Sequence, residues 1–103
     1  LNLKIAKTCG LNRGKKVESV AEALGFPCIV GTELEPGISS VAKIHLAASM
    51  AIHHLASEFT ELSQLDGSIL NNPIEINDGC LSVPEGPGFG VSINEKSLEK
   101  FKL

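Results

Sequence analysis

A lysine stands in the middle of an apolar run, Leu1-Asn2-Leu3-Lys4-Ile5-Ala6-Lys7. With the period-two geometry of a strand, Leu1, Leu3 and Ile5 point one way and Asn2, Lys4 and Ala6 the other. A parallel strand covered by helices is normally apolar on both faces, so Lys4 either lies on an exposed edge or has chemical work to do. A lysine in such a place can take up or release a proton. Other reactive side chains are less suggestive. Cys9, Cys28 and Cys80 are odd in number and irregular in spacing, as expected of free, buried thiols in a reducing cytoplasm. There is no Cys-x-x-Cys, and His53 and His54 are adjacent, which would put them on different sides of a helix; no metal site is expected from them. The Gly/Pro loop Pro84-Glu85-Gly86-Pro87-Gly88-Phe89-Gly90 lacks the following Lys-Ser/Thr, and its two prolines remove N–H donors, so it is a poor phosphate cradle.

The elements that must position Lys4 alternate in type. Leu1–Lys7 reads as a strand, and a helix follows from about Arg13 to Leu24 with Asn12 as N-cap. Its apolar stripe is Val17, Val20, Ala21 and Leu24, with Gly25 at the C-terminal cap. Phe26–Gly31 is a second strand with Pro27 at its start. An acidic loop, Thr32–Ile38, precedes a helix capped by Ser39 or Ser40 and running to about Leu55. That helix is apolar over most of its circumference and expects burial on more than one side. Glu58-Phe59-Thr60 is a short third strand. Strand–helix–strand–helix–strand is the α/β signature of parallel strands joined by right-handed crossovers. After Leu70 the character changes: Ile74–Asn77 and Cys80–Val83 flank Asp78-Gly79, a two-residue hairpin turn. Val91-Ser92-Ile93 is a further short strand and Ser97–Phe101 a last helical turn. The division expected is 1–70 and a tail, 71–103.

At 103 residues with 43% hydrophobic side chains the chain supports one modest core. It opens on Leu with no signal-like stretch, which suggests a segment of something longer. No apolar run is long enough to cross a bilayer. The net charge of −3, scattered Lys/Arg and four Phe without Trp or Tyr argue against nucleic acid as a partner.

Several stretches together resemble the C-terminal part of an enolase-superfamily enzyme of the muconate-lactonizing subgroup. They are Leu-Lys-Ile-Ala-Lys-Thr-Cys-Gly at 3–10, Ala-Glu-Ala-Leu-Gly at 21–25, Gly-Thr-Glu-Leu-Glu-Pro-Gly-Ile at 31–38, Ser-Glu-Phe at 57–59 and Val-Pro-Glu-Gly-Pro-Gly-Phe-Gly-Val at 83–91. The resemblance implies a (β/α)7β TIM-like barrel of which 1–70 supplies strands six to eight, with a C-terminal β tail that returns toward a capping domain lying outside this chain. It implies chemistry at the C-terminal ends of the strands. It also implies a Mg2+ (or Mn2+) cofactor in the full-length parent; the family's carboxylate ligands and Lys-x-Lys pair have no counterpart here, so this segment is not expected to hold the metal.

Carried over residue by residue, Lys4 matches the sixth-strand lysine that faces the substrate. Glu58 matches, without a gap from Lys4, the eighth-strand acid that hydrogen-bonds the enolate oxygens. Glu61 is a rival that needs a three-residue shift. Thr32 and Glu35 would line the pocket as substrate-binding residues or be solvated loop residues; Lys7 reads as a loop cation and His45 as a helix-packing residue. The activity implied is muconate cycloisomerisation, an isomerase reaction of cytoplasmic aromatic catabolism on a small carboxylate substrate. One alternative is a dipeptide epimerase or another racemase of the same superfamily, although Glu58-Phe59-Thr60 lacks the second acid of the epimerases' Asp-x-Asp pair. The other is a non-catalytic barrel fragment that self-associates, since open strand edges and uncovered helix faces favour a homo-oligomer.

Overall fold

The computed structural model describes residues 1–51 and 55–102. The order is β1 (Asn2–Leu3), α1 (Leu11–Ala23), β2 (Ile29–Val30), α2 (Gly37–Ala48), α3 (Glu61–Gln64), β3 (Ile76–Asn77), β4 (Cys80–Leu81) and α4 (Glu95–Lys100). β1 and β2 are parallel with Asn2 opposite Ile29 and Leu3 opposite Val30, and α1 is their crossover. Their inner face forms the core: Leu3, Cys28 and Val30 meet Ala21 of α1, Leu46 of α2 and Met50.

The first strand is shorter than its apolar run. Pairing ends at Leu3, and the chain curls into a turn in which the Thr8 and Gly10 amides donate to the carbonyls of Lys4 (3.0 Å) and Ile5 (2.9 Å). The turn meets its own backbone hydrogen-bonding needs, so nothing extends the ladder past Leu3. Lys4 is therefore the first residue beyond β1, half-buried, rather than an interior strand residue. The second strand is likewise only Ile29–Val30, and Phe26 is exposed.

α1 begins at Leu11 with Gly10, not Asn12, as its N-cap; the turn delivers the chain straight into the helix, and the Gly14 amide donates to the Gly10 carbonyl at 3.0 Å. Its C-terminus forms a Schellman motif, with Phe26 N–H to the Ala21 carbonyl (2.8 Å), Gly25 N–H to that of Glu22 (2.9 Å) and Gly25 at φ +74°. The buried face is Gly14, Glu18 and Ala21. Glu18 is held there by the Ala51 amide (3.3 Å) and Lys15 (2.8 Å). Of the expected stripe only Ala21 faces the core. Val17, Val20 and Leu24 look outward with Leu1 and Phe26 and line an open apolar groove.

α2 starts at Gly37, capped by Pro36 in extended backbone, and stops at Ala48 rather than near Leu55. Ser49 closes it, its hydroxyl donating to the Leu46 carbonyl at 2.8 Å, and Met50 turns back into the core. The expected continuation through Ile52, with His53 and His54, lies outside the described residues. Ser40 through Ile44 are buried in succession, so the middle of the helix is enclosed on all sides, while its ends are half-buried and Ala48 is exposed.

Residues 57–59 run beside β2 without forming a ladder. The Glu58 amide donates to the Val30 carbonyl at 2.8 Å, and the Val30 amide to Ser57 Oγ at 3.0 Å. The hairpin β3–β4 turns through Asp78 (φ +49°) and Gly79 (φ +74°), both left-handed as a type I′ turn demands. Val91–Ile93 contributes a single bridge, Leu70 to Ile93, and α4 is capped by Asn94, which accepts from the Ser97 amide at 3.1 Å. The tail lies on α2, where His45 Nε2 sits 3.2 Å from the Phe89 carbonyl and the two rings are 5.6 Å apart. Cys28 is a buried thiol; Cys9 and Cys80 are exposed on a turn and on the hairpin, not buried as expected.

Candidate active site

Three segments bring side chains to one edge of the sheet. Leu3, Val30 and Glu58 stand at one level, fixed by the β1–β2 register and the Glu58–Val30 bond. Beyond that level the three chains advance together. Lys7 pairs with Glu33 at 3.1 Å across the loops after β1 and β2, and Lys43 joins Glu35 to Glu61 across the next gap. Lys4, Thr32 and Glu58 therefore share the C-terminal edge, where parallel α/β sheets collect their reactive groups.

Asn2 organises this edge. Its Nδ2 donates to Glu58 Oε2 at 3.2 Å, and its side chain lies flat over Gly31, where a Cβ would come within 1.9 Å of Asn2 Oδ1. Gly31 thus gives Asn2 room to reach across β2. Lys4 is half-buried, its carbonyl used by the turn; among the described residues its ammonium has no ion-pair or hydrogen-bond partner.

Glu35 and Glu61 are turned away from solvent. Glu35 Oε2 accepts from Thr32 Oγ1 (3.1 Å), from the Glu33 amide (2.9 Å) and from Lys43 Nζ (3.3 Å). Glu61 Oε1 accepts from Ser40 Oγ (2.6 Å) and from Lys43 Nζ in a short contact. Burial pushes both carboxyls up, but it is outweighed: at Glu35 by the backbone amides and Lys43, at Glu61 by Lys43, Ser40 and Thr32. Both lie below the usual carboxylate value of 4.5. Glu61 is therefore committed to Lys43 and Ser40. Glu58, whose carboxylate touches only Asn2 among the described residues, is the acid at the open edge.

Sequence reasoning missed Lys43, whose side chain is 0% exposed with its ammonium 5.1 Å from the centre of the Phe59 ring. The signal was present. A lone cation in a helix apolar nearly all round poses the same question as Lys4 in its strand. Among the described residues no three His, Cys, Asp or Glu side chains converge on a point that could hold a metal ion. Glu35 and Glu61 already neutralise Lys43, so they make no divalent-cation shell.

The chain matches the family model described as enolase C-terminal domain-like over residues 1–97. It is 34% identical over 99 residues to muconate cycloisomerase 1-1 of Acinetobacter lwoffii, covering 96% of this chain and 26% of that protein. It is 30% identical over 91 residues to the L-Ala-D/L-Glu epimerase of Bacillus subtilis (strain 168), covering 88% and 25%. The crystal structure of a muconate lactonizing enzyme from Klebsiella pneumoniae matches with a TM-score of 0.91 and 30% identity, over 99% of this chain and 28% of that one. The chain spans about a quarter of the length of these curated relatives.

Proposed function

Because this chain belongs to the enolase superfamily and forms the C-terminal part of its barrel, we propose that it supplies one wall of a muconate cycloisomerase-like active site in a longer parent enzyme. Lys4 exchanges a proton at the carbon next to the substrate carboxylate, the step that links cycloisomerisation and its reverse through an enolate-like species. Glu58 is placed to hydrogen-bond the oxygen on which negative charge develops. Thr32, whose hydroxyl donates to Glu35 Oε2 at 3.1 Å, lines the carboxylate side of the pocket with its loop, and Glu35 holds that loop from behind. The observation that carries this reading is the common level of Leu3, Val30 and Glu58, with Lys4 and Thr32 just beyond it on the same edge.

Superfamily members generally use Mg2+, and the parent is proposed to do so too. The carboxylates of this chain do not fit that role, so the ligands belong to parts of the parent outside it, and this segment alone is inactive. Thr60, where an epimerase-like pair would need a second acid, favours cycloisomerase over dipeptide epimerase. The substrate is a small carboxylate, and the setting is cytoplasmic aromatic catabolism. No helix of the described residues is long and apolar enough to cross a membrane. The test is Lys4→Ala in the full-length parent. Turnover of muconate falls by roughly 10²–10⁴, the usual contribution of a general acid/base; activity within a few fold of wild type refutes the assignment.

A further inference from the structure

Lys43 is the most enclosed charge among the described residues, and the proposed chemistry does not use it. Its stem rises inside α2, and its ammonium meets Glu35 from the loop after β2, Glu61 from the start of α3 and the Phe59 ring beside Glu58. The connection continues to the pocket edge. The carboxylate oxygen that Lys43 touches on Glu35 also accepts from the Thr32 hydroxyl and the Glu33 amide, and Thr32 Oγ1 in turn accepts from the Leu34 amide at 3.0 Å. Leu34 sits at φ +62°, a left-handed conformation that a branched side chain adopts only when its surroundings hold it.

The charge count is the second clue. One ammonium faces two carboxylates, and Glu61 Oε2 and Glu35 Oε1 are buried without a hydrogen-bond partner among the described residues. Buried ion pairs are poor stabilisers, and apolar side chains of similar volume would fill this space at no loss. What apolar side chains cannot supply is direction. Ionic hydrogen bonds fix the relative placement of the groups they join.

We propose that Lys43 is a positioning residue: it ties the loop after β2 to the segment Phe59–Glu61 and so fixes that loop, with Thr32, at the edge of the pocket. The assignment deepens the pocket reading above and rests on it for the place of that loop beside the substrate.

The experiment uses the full-length parent and two variants. Lys43→Met/Glu61→Leu replaces the pair by apolar groups and cuts the tie; Ser40→Ala removes another hydrogen bond from the same Glu61 oxygen but leaves the tie in place. Amide exchange is read at Glu33 and Leu34 in the loop and at Gly31, whose amide donates to the Leu3 carbonyl at 2.7 Å in the sheet. In the double variant, protection at Glu33 and Leu34 falls roughly tenfold, the equivalent of one charge-assisted hydrogen bond, while Gly31 is unchanged. KM for muconate rises by a similar factor with kcat within about threefold, because binding geometry rather than proton transfer is lost. Ser40→Ala changes neither quantity. Unchanged loop protection, loss at Gly31 in parallel with the loop, or an unchanged KM overturns the proposal. If the wild-type parent does not turn over muconate, the pocket reading fails by itself. The exchange data then decide Lys43 alone: loss confined to the loop supports the tie, and any other pattern overturns it.

Discussion

Replacing Lys43 by methionine alone should be far more damaging than removing the whole ion pair, and its damage should depend on pH. The single variant keeps the volume of the stem but leaves Glu61, 2% exposed, and Glu35 facing each other without a cation. Breaking a buried pair by deleting one partner costs about 3–5 kcal/mol. That is a large share of the roughly 5–15 kcal/mol that holds a small domain together. In the wild type both carboxyls titrate below 4.5, so their contribution is complete above pH 4.5 and is lost as the pH falls through their depressed folded values. In the variant the desolvation that raises them remains while the ammonium that lowers them is gone. Protonation then relieves the variant instead of weakening it. The stability gap is widest near pH 7 and narrows as the pH falls, first above 4.5 as the variant's raised carboxyls take up protons and then below 4.5 as the wild type loses its own contribution. Urea unfolding followed by far-UV circular dichroism, at a series of pH values between 7 and 3, measures it directly. A gap below about 1 kcal/mol at pH 7, as small as a surface ion pair would leave, or one that stays constant across the series, would show that the buried triad is not what the geometry indicates.

Three further outcomes can be checked. Gly31→Ala forces the exposed Asn2 side chain off β2 and parts it from Glu58; thermal unfolding should register a loss of about 0.5–1.5 kcal/mol, the worth of one hydrogen bond, and a loss above about 3 kcal/mol would mean that Asn2 cannot move aside. Calorimetric titration of this chain with Mg2+ should give only weak, nonspecific binding, because Glu35 and Glu61 are already paired with Lys43 and Glu18 with Lys15; a tight one-to-one isotherm contradicts that. Isolated from its parent, the chain should associate through the groove lined by Val17, Val20, Leu24, Leu1 and Phe26, so light scattering should report a multiple of 10.9 kDa; a stable monomer at high concentration refutes it.

Local chemistry made much of this protein legible in its sequence. Asp78-Gly79 announced the hairpin because both residues tolerate positive φ, Gly25 announced the end of α1 for the same reason, and a helix apolar over most of its circumference foretold burial on more than one side. Lys4 stood out because a charge in an apolar run conflicts with period-two burial. What the pattern could not supply was who the neighbours are. The stripe Val17, Val20, Leu24 is as periodic as any core face, yet here it looks outward, since periodicity records that a face is covered and not by what. The ends of β1 and α2 were set by a turn and by the Ser49 hydroxyl, local hydrogen bonds to backbone carbonyls that hydrophobicity does not encode. Most of all, the meeting of Lys43 with Glu35 and Glu61 joins residues 8 and 18 positions apart on three separate elements. Lys43 posed a question in its apolar helix, but Glu35 and Glu61 read one by one as solvated side chains; only the packing of α2 against the loop after β2 and the start of α3 takes the three out of water and makes them depend on one another.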